Sequence, residues 1–296
     1  MELKDKRTEL LSLYDKDQRI DVRYTDVRRE ETPFVVRHIA RLEGHEGMVV
    51  YSRLNADNAE EVIHAEMEYF SRIGQDFEWK VYSHDQPRDL KERLAALGFE
   101  VGDEEAIMVL DLADAPEVFW QPVNAVIRRV GDAAGLADVI AVEEEVWGED
   151  HSALGEFLGD ALKSAPEGIS IYVAFVDDRP VSAAWVFFPE GSQFASLWGG
   201  STLEAYRGRG LYTALLALRA QEARSRGRKY LTVEASPMSR PILEKFGFII
   251  IAESFPCVWR KKAAQNKKFA SFVFCPPGGA VFRYTRMERQ FFYKEV

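Results

Sequence analysis

The segment Arg207-Gly208-Arg209-Gly210-Leu211-Tyr212-Thr213 separates a run of strand character, Phe194 to Thr202, from a helix-forming stretch from about Gly210 to Arg226. A strand, a glycine-broken basic turn and a helix start make an anion site. The first N–H groups of a helix have no partner inside it and carry the positive end of its dipole, while glycines let a ligand approach the backbone closely. A pyrophosphate suits that chemistry. Taken alone, Arg-Gly-Arg-Gly reads more simply as a strand-to-helix turn with an exposed basic pair. The segment differs from a dinucleotide fingerprint, because no second glycine pair and no acidic strand end at ribose-binding distance follow it. It also lacks the Lys-Ser/Thr of a P-loop, which disfavours nucleotide hydrolysis.

Two further places carry polar chemistry. Trp198-Gly199-Gly200-Ser201 sets a glycine pair inside a strand, which weakens it unless a bulge or a close ligand requires it. Both explanations are open. Glu234 ends the strand Lys229 to Glu234 and is followed by Ser236-Pro237-Met238-Ser239. A carboxylate there can accept a proton from an attacking amine through water; it is also an ordinary solvated cap. Glu144, Glu145 and His151 lie near the end of the preceding helical stretch and the start of the next, where a charged helix face and a surface histidine are the plain readings. Cys257 and Cys275 have neither metal-ligand spacing nor a disulfide framework, and no metal is expected.

The elements that must position these residues alternate between strand and helix. Met1 to about Asp17 predicts a short amphipathic helix. The runs 34–40 and 48–54 predict a hairpin, Ala59 to Ile73 a helix, and Glu78 to Ser83 a strand. A helix opened by Pro87 and ended by Gly98 follows, with strands near 99–101 and 106–112. Ala113 to Pro122 interrupts both periodic patterns and marks a junction. Beyond it come a strand at 126–130, helices capped by Asp132 and over 153–163, strands over 169–176, 180–188 and 194–202, a helix from 210, the strand 229–234, a helix over 239–246 and a strand from Phe248. The prediction is α+β. Lys80-Val81-Tyr82-Ser83-His84-Asp85-Gln86-Pro87 lines up with Tyr230-Leu231-Thr232-Val233-Glu234-Ala235-Ser236-Pro237, and Leu97-Gly98-Phe99 with Phe246-Gly247-Phe248. This is a degenerate internal repeat, or the strand-helix-glycine order common to any α/β chain.

Arg207 and Gly210 match the Arg/Gln-x-x-Gly-x-Gly/Ala loop of the GNAT acetyltransferase superfamily, with Tyr212 replacing the final small residue. The downstream Ile242-Leu243-Glu244-Lys245-Phe246-Gly247-Phe248 resembles the family's Leu/Tyr-Glu-Lys-x-Gly-Phe helix end. The resemblance covers about Val126 to Arg260. It implies an acetyltransferase domain over 123–262, and with the internal repeat it gives tandem GNAT-like domains, each a mixed, mostly antiparallel central sheet flanked by helices, the first a degenerate domain over 1–114 without a CoA loop, followed at the end by an extension over 263–296 with added strands.

The same resemblance implies an N-acetyltransferase that moves an acetyl group from acetyl-CoA to a primary amine by direct attack. The alternative is a non-catalytic acyl-CoA-binding or sensing protein. It places the cosubstrate at Gly199, Gly200, Ser201, Thr202, Arg207, Gly208, Arg209, Gly210, Leu211, Tyr212 and Thr213, with the strands on either side of the loop's helix splaying around it. Glu234, Glu144 and Ser236 are the catalytic candidates. The tyrosine that often protonates the family's leaving thiolate falls at Leu243 and is absent; Ser236, Ser239, Tyr212 or solvent can replace it.

Composition limits the partners. With 48 acidic against 38 basic residues, the chain carries a formal charge of −10, which argues against a broad phosphate-neutralising surface and hence against nucleic acid. A small-molecule or peptide amine is the expected acceptor. No apolar run approaches the roughly 18 residues of a membrane span, and nothing near Met1 resembles an export signal, so the expected location is the cytoplasm. In the first half, Asn55-Ala56-Asp57-Asn58-Ala59-Glu60-Glu61 stands where a CoA loop would be. It has no glycine and no arginine, and its acidic side chains repel an anion.

Overall fold

Seven α-helices and twelve strands form among the residues that the computed structural model describes, 2–24, 27–41 and 45–261. The first half runs α1 (Glu2–Tyr14), a π-helical turn (Asp15–Ile20), β1 (Val27–Glu31), β2 (Val35–Ala40), β3 (Gly47–Ser52), α2 (Ala59–Ile73), β4 (Phe77–Tyr82), α3 (Leu90–Ala96), β5 (Glu100–Val101) and β6 (Glu105–Asp111). The second runs β7 (Val126–Val130), α4 (Ala133–Trp147), α5 (Ser152–Ser164), β8 (Ile169–Val176), β9 (Arg179–Phe187), β10 (Phe194–Thr202), α6 (Leu211–Ser225), β11 (Tyr230–Ala235), α7 (Arg240–Lys245) and β12 (Ile249–Trp259). The extension expected over 263–296 lies outside the described residues.

All strands among the described residues join one sheet in the order β1-β2-β3-β4-β12-β6-β11-β10-β9-β8-β7, with β5 added on β12. Only β3–β4 and β10–β11 are parallel, each pair joined by a crossover helix, α2 or α6. The sheet is therefore mixed and mostly antiparallel, and β1 to β4 repeat the order of β8 to β11. The last strand of each half does not return to its own neighbours. β6 pairs with β11, and β12 pairs with β4, so each half completes the edge of the other. β6 and β12 then pair with each other at the centre. The stretch between the halves carries a short 3-10 turn, Glu117–Trp120, with Phe119 fully buried, and the strands on either side of it interleave.

Burial follows the apolar periodicity. The larger core gathers side chains of α4 to α7 and β7 to β11, a second lies under α2 and α3 around Phe70, Phe77, Trp79 and Leu94, and a third seats Leu10 and Tyr14 of α1 on the exchanged strands. No helix among the described residues is long and apolar enough to cross a membrane.

The exchange has an electrostatic pin. Lys80 of β4, its side chain 1% exposed, places Nζ 2.7 Å from Glu105 of β6 and 2.5 Å from Glu234 of β11. One cation thus ties strands from both halves across β12. Burial raises the Glu234 carboxyl above the ordinary range, Lys80 opposes this and Glu105 adds to it. Removing the cation leaves carboxylates buried without it, which costs about 3–5 kcal/mol.

We predict that Lys80→Met destabilises the protein by that order and that the loss shrinks in acid. The folded Glu234 holds its proton above the pH at which the unfolded chain releases it. Stability is therefore lost as pH rises through the window above the unfolded value of 4.5. Denaturant unfolding at about pH 5 and about pH 8 checks the sign; an equal loss at both would contradict the assignment.

Candidate active site

β10 and β11 begin as an ordinary parallel pair, with Phe194 opposite Tyr230, Ala195 opposite Leu231 and Ser196 opposite Thr232. The ladder then stops. β10 continues along β9 to Thr202, whereas β11 continues along β6 to Ala235, so the two strands part, and the place where they part is the candidate cleft. Along the far part of β10 the register against β9 shifts between Gly199 and Ser201. This is a bulge, and both glycines adopt left-handed φ angles, 64° at Gly199 and 99° at Gly200. A Cβ at Gly199 would lie 2.5 Å from the Trp185 ring, and one at Gly200 would lie 3.0 Å from Tyr212. Backbone conformation and crowding both demand glycine there. Tyr212, at the position of the expected small residue, packs its ring on the bulge.

Past Thr202 the chain makes a 3-10 turn, Glu204–Tyr206, and enters α6 through Gly208 and Gly210, both at positive φ. Among the described residues no side chain caps α6, and nothing lies within 4 Å of where a Cβ on Gly208 or Gly210 would stand. The helix start is thus uncapped by any side chain and flanked by exposed Arg207 and Arg209. Arg207 Nε donates to the Thr202 carbonyl at 3.2 Å, and the Arg209 guanidinium lies 5.0 Å from the Tyr206 ring centroid. The start of α2 likewise has no side-chain cap, but the turn before it is bonded within itself. Asn55 Oδ1 accepts from the N–H groups of Asp57 and Asn58, and Asn58 Oδ1 accepts from that of Asn55.

Two buried charged groups flank the bulge. Glu143 of α4 is 2% exposed and accepts from Ser201 Oγ at 2.7 Å and from Trp147 Nε1 at 2.9 Å, while its Oε1 has no hydrogen-bond partner among the described residues. Burial raises its pKa, and the Ser201 and Trp147 donors pull the other way. Arg219 of α6, also 2% exposed, donates from Nη1 to the carbonyls of Trp198 at 3.0 Å and Trp185 at 3.2 Å, and from Nε to Leu215 at 3.1 Å. Burial brings its guanidinium down to about 10. The Trp198 carbonyl belongs to the peptide group whose N–H is that of Gly199, so a cation on the oxygen polarises that N–H as a donor. Ser182 Oγ fixes the other side by donating to the Ser201 carbonyl at 2.7 Å.

The remaining sequence candidates are scattered. Glu234 is engaged with Lys80 in the central ion group rather than at the bulge. Glu144 is exposed and accepts from the His151 backbone N–H at 3.2 Å, and Glu145 pairs with Arg179 at 2.7 Å. His151 is buried, with Nδ1 2.9 Å from the Glu149 carbonyl. Ser236 and Ser239 are 3.3 Å apart in the turn that leads from β11 to α7, and Leu243 is in the core. The sequence reading missed Glu143 and Arg219. A signal existed for each: Glu143 falls on the buried stripe of α4 with Val139 and Val142, and Arg219 on that of α6 with Leu215, Leu216 and Ala220.

The arrangement can hold a diphosphate at the α6 start, lay an extended chain along β10 in the cleft, and set a polarised backbone donor and a buried carboxylate at its inner end. Residues 136–248 match the profile of the acetyltransferase (GNAT) family. The chain matches none of the curated proteins. Among solved structures it is similar to a GCN5-related N-acetyltransferase from Kribbella flavida, with 13% identity, a TM-score of 0.59, and coverage of 88% of this chain and 96% of that one. A tandem GNAT protein from the clavulanic acid biosynthesis pathway gives 11% identity and a TM-score of 0.56, over 86% of this chain and 95% of that one. A functionally unknown conserved protein from Staphylococcus epidermidis gives 13% and 0.56, over 79% and 94%. At such identities the likeness concerns the fold, and it extends over both halves. Residues 136–248 thus match the acetyltransferase (GNAT) family model, in a chain whose fold is shared with a tandem GNAT protein.

Proposed function

We propose that the protein transfers an acetyl group from acetyl-CoA to a primary amine of a small molecule or peptide, by direct attack in the cleft between β10 and β11. The observation that carries this reading is the continuity of one strand. β10 leaves its parallel partner, bulges at Gly199 and Gly200 beside a buried carboxylate, and leads through the turn Glu204–Tyr206 into an uncapped helix start flanked by arginines.

In this reading the diphosphate of the cosubstrate sits on the N–H groups from Gly208 to Thr213, with Arg207 and Arg209 supplying charge. The pantetheine chain follows Gly199, Gly200, Ser201 and Thr202. The thioester carbonyl lies at the bulge, where a backbone N–H polarised through Arg219 takes up the negative charge that develops on oxygen. A neutral amine attacks the carbonyl carbon, the C–N bond forms and the C–S bond breaks. The amine proton passes to Ser201 Oγ as the hydroxyl proton passes to Glu143, whose pKa burial raises above that of an ordinary carboxylate, making it a stronger base. The departing thiolate takes its proton from solvent, relayed through the Ser236 hydroxyl just past β11. Glu234 is not assigned the proton, because its side chain is turned to Lys80 in the central ion group.

Gly210→Glu should abolish coenzyme A binding in a folded protein, since a side chain and a negative charge enter the diphosphate space; Arg207→Ala should weaken binding without abolishing it. Titration calorimetry decides, and an unchanged affinity in Gly210→Glu would sink the loop assignment.

Glu143→Gln should lower kcat by about 10²-fold or more, the usual weight of a proton acceptor. In the parent protein kcat should fall as pH drops through a range above that of an ordinary carboxylate, because Glu143 must be ionised and burial raises its pKa. That limb should be missing from the variant's pH profile. A variant that keeps both rate and profile excludes Glu143, and coenzyme A binding without turnover of any amine would favour an acyl-CoA sensor.

A further inference from the structure

The first half has its own parallel pair that parts. β3 and β4 pair at Gly47–Phe77, Met48–Glu78 and Val49–Trp79, and β3 bulges against β2 just beyond, where Val36 opposes Tyr51 and Arg37 opposes Val49. A polar side chain fills the gap that follows. Arg19, from the π-helical turn, is 1% exposed; its Nε donates to the Val50 carbonyl of β3 at 3.0 Å. Its Nη2 donates to both carboxylate oxygens of Asp85, just past β4, at 2.9 and 2.8 Å, and its Nη1 reaches Asp15 at 2.7 Å. The guanidinium also lies 3.7 Å from the Tyr82 ring centroid and 4.8 Å from that of Tyr51. Arg19 thus satisfies the separated backbone that an extended ligand would otherwise meet.

The residues immediately before Arg19 reach into the other half. Gln18 Nε2 donates to Ser192 Oγ at 2.7 Å, Gln18 Oε1 accepts from Ser196 Oγ at 2.9 Å, and Asp17 accepts from the Gln193 backbone N–H at 2.8 Å. Ser192 Oγ in turn accepts from the Phe194 N–H at 3.0 Å. Gln18 therefore spans the start of β10 over Phe194 to Ser196, the three residues that pair with β11 before the cleft opens. Gln18 and Asp17 are buried.

We infer that Gln18 and Asp17 are positioning residues that fix the root of the acyl-CoA cleft, anchored by Arg19 in the gap of the first half. The inference rests on the acyl-transfer reading for its functional side. The first half then acts mechanically, because its closed gap holds a π-helical turn rigid and that turn sets where β10 leaves β11. Such a clamp affects the cleft without touching the ligand, so its effect on affinity is a coupling through one strand.

The test uses the full chain with Gln18→Ala, and with Val62→Ala in the core under α2 as a control that lowers stability away from β10. Hydrogen exchange of the ligand-free proteins should show faster exchange of the amides from Phe194 to Gly199 in Gln18→Ala and not in Val62→Ala. Titration with coenzyme A should show about tenfold weaker binding for Gln18→Ala alone. Unchanged exchange at those amides, or equal affinity in the two variants, overturns the inference. If the parent protein itself binds no coenzyme A, the acyl-transfer reading fails, and the exchange result still decides whether the turn holds β10.

Discussion

Two parallel strands that separate after three residue pairs leave backbone N–H and C=O groups facing a gap, and a buried backbone polar group without a partner is costly. The parting of β10 from β11 is therefore possible only if both strands are held from outside and the gap is satisfied from within. β9 holds β10 on one side, β6 holds β11 on the other, and β6 comes from the other half of the chain. Strand exchange thus braces the cleft. The buried contact of Lys80 with Glu105 and Glu234 joins β4, β6 and β11 at the point where the exchange occurs. The two halves answer the interior requirement differently: the first fills its gap with Arg19, and the second is the gap we propose an acyl donor fills.

The second gap is surrounded by groups that are expensive to bury. Arg219 lies beneath the bulge bonded to carbonyl groups, and Glu143 faces the same bulge with one oxygen unpaired among the described residues. Neither arrangement is what stability alone would select, because an isolated buried charge costs more than its hydrogen bonds return. Opposite charges on the two sides of Gly199 to Ser201 make sense where a substrate oxygen gains negative charge and an amine loses a proton. Active sites characteristically hold groups whose pKa values are displaced in this way.

The backbone of the loop was legible because it is local. Arg207 to Gly210 between a strand and a helix, and Gly199-Gly200 within a strand, specify backbone conformations that few other residues allow, and the structure places a bulge and an open helix start there. What was not legible depends on tertiary pairing. Period-two alternation identifies β6 and β12 as strands and says nothing about which edge each will join, so the exchange is invisible in sequence. β1 carries one apolar residue in Val27-Arg28-Arg29-Glu30-Glu31 and lies at the sheet edge, where charge is tolerated and the core pattern fades. Glu234 looked catalytic from its place at a strand end; its engagement with Lys80 required knowing how β4 lies relative to β11 in the sheet. Glu143 and Arg219 were hidden inside apolar helix stripes, where a charged residue is easily read as an irregularity of the pattern.

The central claim is that one cleft per chain, between β10 and β11, takes the acyl donor. Titration of the full chain with coenzyme A, read together with amide hydrogen exchange of the complex, tests it most directly. The account predicts one site per chain, with protection gained over Gly199 to Thr213 and none gained over Gly47 to Glu61. Two sites per chain, or protection at the start of α2, would contradict it.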